Sequence, residues 1–98
     1  MKTQSLPEIV KQYYKFRGLT QPDANQAYLF LASEIGELAD AFVADQAAWV
    51  RNNPGKKRSV SDEIGDVLMM LTVFAMTQGI DPAQAMLDKM RSKGFDLP

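Results

Sequence analysis

Two segments of the sequence share a pattern in which two acidic residues stand three positions apart within an apolar stretch. The first is Glu34-Ile35-Gly36-Glu37 and the second is Glu63-Ile64-Gly65-Asp66. Residues three apart lie on one face of an α-helix, so each segment presents two carboxylates in one direction. Two such helices packed together would bring four carboxylates into one site. The pattern therefore predicts a pocket lined by four carboxylates, and it is the main indication of function in this sequence.

The first acid of each pair lies within the apolar face of its helix. At about 100° per residue, Leu31 and Leu38 fall within about 60° of Glu34, and Val67 falls within about 40° of Glu63. Neither predicted helix contains a lysine or an arginine that could pair with these acids. A carboxylate in an apolar stripe costs several kcal/mol unless it is paired, protonated or bound to a metal. A shared cation site explains both placements, and water-solvated or partly protonated acids at the rim of a bundle are the alternative.

Carboxylate oxygens are hard ligands, so a divalent cation such as Mg²⁺, with Mn²⁺ as a second possibility, is the expected cofactor. A cation would also relieve the repulsion among four like charges. A glycine separates the two acids of each pair, at positions 36 and 65. Glycine costs about 1 kcal/mol in a helix interior, and a close approach of two helices would explain that cost.

The composition excludes several classes of site. The chain has no cysteine and no histidine, which excludes zinc fingers, thiol chemistry, Ser-His-Asp triads and the Glu-x-x-His ligands of di-iron bundles. The net charge of −1 provides no basic field for nucleic acid. Since the sequence has no signal-peptide core and no membrane-spanning apolar run, we expect a cytoplasmic protein without a membrane partner. Residues 1–98 are expected to form a single domain.

Capping patterns, prolines and glycines divide the sequence into four predicted helices and a turn-rich basic loop. The first helix follows the capping pattern of Ser5 and Glu8 and ends near Gly18, and the second follows the capping pattern of Thr20 and Asp23 and covers about residues 22–50. The third follows a cap at Ser59 and ends at about residue 78, where Gly79 suits the left-handed C-terminal position. The fourth covers about residues 82–93, and the loop covers residues 52–58.

No segment alternates with a period of two, so the predicted class is all-α, of the four-helix bundle type. A lone domain of this size buries only roughly 60–65% of its unfolded surface. We therefore expect dimerisation to complete the core.

The acidic segments, followed by Gly79-Ile80-Asp81-Pro82 and Ala85-Met86-Leu87-Asp88-Lys89-Met90, resemble the signature of MazG-like proteins of the all-α nucleoside triphosphate pyrophosphatase superfamily. The resemblance covers about residues 28 to 93. It implies Mg²⁺-dependent hydrolysis of a (deoxy)nucleoside triphosphate between its α and β phosphates, giving the monophosphate and pyrophosphate. It also implies self-association as a dimer or tetramer, with four-helix cores shared between subunits.

The resemblance implies four metal ligands: Glu34, Glu37, Glu63 and Asp66. It also implies that Lys89 contacts phosphate, and it differs at Lys93, where the family usually has asparagine. Arg91 and Lys93 are further candidates to stabilise phosphate charge, although cations near the end of a helix are also favourable structurally. Because the chain has no histidine, Glu34 is the candidate general base that activates water.

The nucleotide base needs an aromatic or apolar slot. Phe16, Phe30 and Trp49 are candidates, although aromatic residues at helical spacing commonly belong to the core. Two other functions stay open. One is a related dUTP- or phosphoribosyl-ATP-type pyrophosphatase, and the other is a catalytically idle helical dimer that acts as an interaction module.

Overall fold

The computed structural model describes residues 4–44 and 59–98. These residues form four α-helices and no strand: α1 (Leu6–Arg17), α2 (Ala24–Ala44), α3 (Val60–Thr77) and α4 (Pro82–Ser92). The all-α class and the four-helix architecture predicted from the sequence are thereby confirmed. The predicted continuation of the second helix to residue 50, the basic loop at 52–58 and Trp49 lie outside the described residues.

The ends of α1 follow the predicted signals. The hydroxyl of Ser5 accepts a hydrogen bond from the backbone N–H of Glu8 at 3.3 Å, which caps the first turn. Gly18 ends the helix in the left-handed region at φ 65°, a conformation that glycine adopts without a steric penalty.

The start of α2 differs from the prediction. The helix begins at Ala24, whereas the sequence pattern placed its start at Pro22. Asp23 Oδ1 accepts from the backbone N–H of Gln26 at 2.8 Å, and Gln26 Oε1 accepts from the backbone N–H of Asp23 at 3.4 Å. This reciprocal pair satisfies two backbone donors. It therefore caps the helix in place of the expected pair of Thr20 and Asp23.

The remaining caps fix α3 and α4. The hydroxyl of Ser59 accepts from the backbone N–H of Asp62 at 3.1 Å. Gly79, at φ 67°, lies in the left-handed region just after α3. Asp81 Oδ1 then accepts from the backbone N–H of Ala83 at 2.9 Å and so starts α4. The local sequence thus sets where each of these helices begins.

The helices α2 and α3 form the main packed pair, and α1 and α4 contact α3 over smaller areas. Tyr28, near the start of α2, stacks edge-on against Phe74 near the end of α3, with ring centroids 5.6 Å apart. Glu34, further along α2, lies close to Glu63 at the start of α3. The two helices therefore run antiparallel, which brings the two acidic segments to the same level.

The hydrophobic core lies where α1 crosses the α2–α3 pair. Its buried members come from all three helices: Val10, Tyr14, Ala27, Met70 and Val73. Partly buried side chains surround it: Leu31, Met69, Phe74 and Met76. This core is small, because a domain of this size buries only part of the surface of its unfolded chain.

One side of the α2–α3 pair remains uncovered in the part of the chain that the structure describes. A spacing of seven residues aligns Tyr28, Ile35 and Phe42 along α2, and aligns Ile64 and Leu71 along α3. These five side chains are between 40% and 61% exposed. We call this surface the outer face. A helix that is apolar on most of its sides is typical of a helix buried within a larger assembly.

Within the described ranges, no single helix combines the length and apolarity that a membrane crossing requires. Only α3 and α4 taken together satisfy those criteria, and the two helices are bent by 86° at the break between them.

Candidate metal and catalytic site

The structure brings together the four acids that the sequence singled out. Glu34 and Glu37 come from α2, and Glu63 and Asp66 come from α3. One carboxylate oxygen from each residue lies within 4.8 Å of the corresponding oxygen of every other. This convergence follows from the antiparallel packing, because each helix presents its i, i+3 pair towards the same point.

The carboxylates are unequally exposed. Glu34, Glu63 and Asp66 are half-buried, while Glu37 is exposed. The cluster therefore opens to solvent on the side of Glu37, and its deepest oxygens lie between the two helices.

Glu34 has the most perturbed environment resolved in the cluster. Its Oε2 atom is buried and has no hydrogen-bond partner among the described residues. The pKa of Glu34 is raised from its ordinary value of 4.5 to about 7. Desolvation by burial is the largest cause, followed by a side-chain hydrogen bond with Glu37 and by the negative charges of Glu37, Asp66 and Glu63. At neutral pH, Glu34 is therefore present in both its protonated and its ionised form.

The four carboxylates suit a hard divalent cation. Ligand oxygens on opposite sides of Mg²⁺ lie about 4.2 Å apart, since each Mg–O distance is about 2.1 Å. The oxygens of the cluster lie within 4.8 Å of one another, so modest side-chain shifts would let them share one cation. The donor set contains oxygen alone, which favours Mg²⁺ or Mn²⁺ over softer metals. A cation would also satisfy the buried oxygen of Glu34.

The glycines within the two acidic segments do not mark a close helix approach inside the described part of the chain. A Cβ atom added to Gly36 or Gly65 would meet no other atom within 4 Å. The expectation that tight packing of two helices explains these glycines is therefore wrong for the subunit as described. Both glycines are exposed, so the contacts of the described residues do not explain why glycine stands at these two positions.

The basic candidates all lie on α4 or just after it. Lys89 lines an open groove of about 620 Å³ along α4, together with polar and small residues such as Asp81 and Asp88. Arg91 forms an exposed ion pair with Asp88, with Nη1 3.8 Å from Oδ1. Lys93 follows the last turn of α4 and is exposed. The charges that shift the pKa of Glu34 are all carboxylates. Lys89, Arg91 and Lys93 therefore do not contribute to that shift.

The two aromatic candidates occupy different places. Phe30 stands one turn before Glu34 on α2 and is 51% exposed. Phe16 lies on α1, which supplies no carboxylate to the cluster, and is 83% exposed. Phe30 is therefore the aromatic candidate that shares a helix with the acids.

One buried contact next to the acidic segment of α3 was not anticipated from the sequence. The hydroxyl of Tyr14 on α1 donates a hydrogen bond to Met70 Sδ on α3 at 3.9 Å. Met70 stands four residues after Asp66, and this spacing is visible in the sequence. The partner of Met70 is not visible there, because it depends on how α1 packs against α3.

The sequence was also compared with known proteins. The family model described as the MazG nucleotide pyrophosphohydrolase domain matches residues 23–94. This span includes α2, α3, α4 and all four carboxylates, whereas α1 precedes it. Comparisons with curated proteins and with solved structures found no match.

Proposed function

The chain belongs to the MazG nucleotide pyrophosphohydrolase family, and from this premise we propose that it hydrolyses (deoxy)nucleoside triphosphates to monophosphates and pyrophosphate. We propose Mg²⁺ as its cofactor, with Mn²⁺ as a substitute, and a single catalytic domain over residues 1–98. The observation that supports this proposal most strongly is the convergence of four carboxylate oxygens within 4.8 Å of one another. That donor set suits a cation that also binds phosphate oxygens.

In this proposal Glu34 and Glu37 of α2 and Glu63 and Asp66 of α3 would hold the cation between them. When bound, the cation would supply positive charge that offsets the negative charge of the triphosphate. Glu34 acts as the general base that takes a proton from the attacking water. Glu34 is the candidate for this role because the chain has no histidine to act as the base.

The remaining candidates bind the substrate. Lys89 binds phosphate through the open groove of α4, and Arg91 and Lys93 add positive charge at the same end of that helix. Phe30 offers its exposed ring to the base, with Phe16 as a second aromatic candidate.

A nucleotide panel tests the proposed reaction. We expect the protein to release pyrophosphate and a nucleoside monophosphate from at least one nucleoside triphosphate in the presence of Mg²⁺, and we expect EDTA to abolish turnover. Ion-exchange chromatography of the products distinguishes pyrophosphate from orthophosphate. Including dUTP and phosphoribosyl-ATP separates the related specialist activities from a broad one.

Two results would contradict the proposal. Orthophosphate as the first product would place the cleavage at the wrong bond. No turnover of any nucleotide, combined with no binding of Mg²⁺ or Mn²⁺, would favour the catalytically idle helical dimer.

We further propose that a second copy of the chain covers the outer face. Exposing five large apolar side chains on one surface is unfavourable, since burial stabilises by roughly 25 cal/mol per Å² of apolar area. The outer face runs along both central helices, so a two-fold related copy can form a four-helix core with it. This proposal leaves open whether two dimers associate into a tetramer.

Phe42→Glu is expected to shift the protein towards monomers. Phe42 is 61% exposed on the outer face, and a carboxylate there would be buried without a partner in the dimer. Light scattering at micromolar concentration should give the mass of two or four chains for the wild type and a mass near 10.9 kDa for the variant. Phe16→Glu, on α1, serves as the matched control and should leave the mass unchanged. A monomeric wild type would overturn the proposal.

A further inference from the structure

The hydrogen bond between Tyr14 and Met70 joins two residues that are far apart in the sequence, unlike the capping and turn hydrogen bonds. It joins residues 56 positions apart on α1 and α3, whereas hydrogen bonds such as those at Arg17, Gln84 and Ser92 join residues three or four apart. Tyr14 and Met70 are both buried, with 8% and 7% of their surfaces exposed. A buried tyrosine hydroxyl needs a partner, and here it donates to a weak acceptor, the Met70 thioether.

Met70 lies next to the acidic segment of α3. It stands four residues after Asp66 and seven after Glu63, so all three share one face of the helix. Side chains in a helix lean towards the turn that precedes them, which places Met70 over the turn of Asp66. The thioether is flexible and has several accessible rotamers. A hydrogen bond to its sulfur therefore restricts the side chain that supports this turn.

The helix that supplies Tyr14 is not part of the matched family span, which begins at residue 23. Val10 and Tyr14 of α1 nevertheless pack into the core with Met70 and Val73. Burial raises the pKa of Tyr14 above its ordinary value of 10.0, so its hydroxyl remains a donor across the physiological range. The helix α1 therefore makes a buried polar contact with α3 at a residue four positions after Asp66.

We propose that Tyr14 is a positioning residue for the cation site, because its hydrogen bond to Met70 Sδ fixes the side chain that supports the Asp66 turn. This inference rests on the proposed function, since it requires that the four carboxylates bind a cation. Tyr14 does not contact the cation or the substrate in this proposal. It acts through Met70 and keeps the α3 carboxylates in the arrangement that meets those of α2.

Titration of the metal-free protein with Mn²⁺, followed by electron paramagnetic resonance, tests the inference without relying on activity. Tyr14→Phe removes only the hydroxyl, and we expect it to weaken Mn²⁺ binding by about threefold to tenfold, as for the loss of one hydrogen bond. Met70→Leu conserves volume and removes the sulfur, so it should cause a similar loss. Because both changes break the same contact, the double variant should be no weaker than either single variant.

Tyr13→Phe is the matched control. It also removes a tyrosine hydroxyl from α1, but that hydroxyl accepts a hydrogen bond from the exposed side chain of Arg17 at 2.8 Å. Its Mn²⁺ affinity should stay within twofold of the wild type. Melting temperatures of the metal-free variants report any general loss of stability. A purely structural role for Tyr14 would lower the melting temperature of Tyr14→Phe and leave its Mn²⁺ affinity unchanged.

The outcomes separate this inference from the proposed function. If the wild type binds Mn²⁺ and Tyr14→Phe binds it equally well, the positioning role is wrong and the cation site stands. Equal losses in Tyr14→Phe and Tyr13→Phe also exclude a specific role. If the wild type binds neither Mn²⁺ nor Mg²⁺, the cation site itself is wrong and the inference fails with it.

Discussion

Asp66→Asn is expected to lower kcat/KM for nucleoside triphosphates by about a hundredfold to a thousandfold, since losing one ligand charge weakens the electrostatic stabilisation that the cation gives to the transition state. It should also reduce the increase in melting temperature that Mg²⁺ gives to the wild type, because only binding to the folded state stabilises it. Steady-state kinetics and thermal melting with and without Mg²⁺ measure the two effects.

The same substitution is expected to raise the melting temperature of the metal-free protein. Asp66 is one of four carboxylates whose oxygens lie within 4.8 Å of one another, and removing one like charge relieves repulsion in the folded state. Lower activity with higher stability is typical of a functional site.

Asp40→Asn provides the control, because Asp40 is an exposed acid on α2 that is not part of the carboxylate cluster. Its activity and its response to Mg²⁺ should match those of the wild type. If Asp66→Asn kept full activity, or if Asp40→Asn lost as much, the assignment of the cluster would be wrong.

The melting temperature of the metal-free protein is expected to fall as the pH rises from about 4.5 to about 7. Burial and the neighbouring carboxylates raise the pKa of Glu34 to about 7 in the folded protein, against an ordinary value of 4.5. Below about pH 4.5, Glu34 is protonated in both the folded and the unfolded state, so its contribution to stability does not change with pH. Between the two values the folded state holds more protons than the unfolded state, so each rise in pH destabilises it. Above about pH 7, Glu34 is ionised in both states, and the free energy of unfolding no longer falls on its account.

Glu34→Gln is expected to remove this part of the pH dependence. The variant should melt about 5 °C or more above the wild type at pH 8, and the two should converge near pH 4, since 1 kcal/mol shifts the melting temperature of a domain of this size by about 4–8 °C. Scanning calorimetry in metal-free buffer from pH 4 to pH 8 measures the difference. Parallel curves for the two proteins would show that Glu34 has an ordinary pKa.

Proton release provides a second measurement on the same residue. Cation binding requires the ionised carboxylate, so binding of Mg²⁺ at pH 6 should release a proton from Glu34 in the wild type. Titration calorimetry in two buffers with different ionisation enthalpies detects that proton. Glu34→Gln lacks the group that releases it and should show no such difference between the buffers.

Much of the fold was predictable because its signals are local. The cap at Ser59 and the left-handed glycines at Gly18 and Gly79 depend on a few neighbouring residues, and the structure has them where the sequence indicated. Among the described boundaries, the largest displacement is at the start of α2, where two capping patterns overlap. Asp23 pairs with Gln26 in the structure, and the sequence alone did not rank this pair above Thr20 with Asp23.

The acids of the candidate site were also visible in the sequence, because the i, i+3 spacing and the apolar neighbours of Glu34 and Glu63 are short-range properties. The role expected for Gly36 and Gly65 was not met, since open space surrounds both residues in the described part of the chain. Whether a glycine touches another helix depends on packing between distant segments, which spacing along one helix does not contain.

The sequence by itself determined the all-α class, the capped ends of most helices and the presence of two pairs of carboxylates on apolar helix faces. Only the tertiary structure decided that these pairs converge within 4.8 Å, that a Glu34 oxygen is buried and that Tyr14 reaches Met70. It also decided that the outer face is left uncovered by the residues described. The two kinds of property differ in the distance along the chain over which they act. Capping and periodicity depend on a few neighbouring residues, whereas desolvation and repulsion between charges depend on helices that come together from distant parts of the chain.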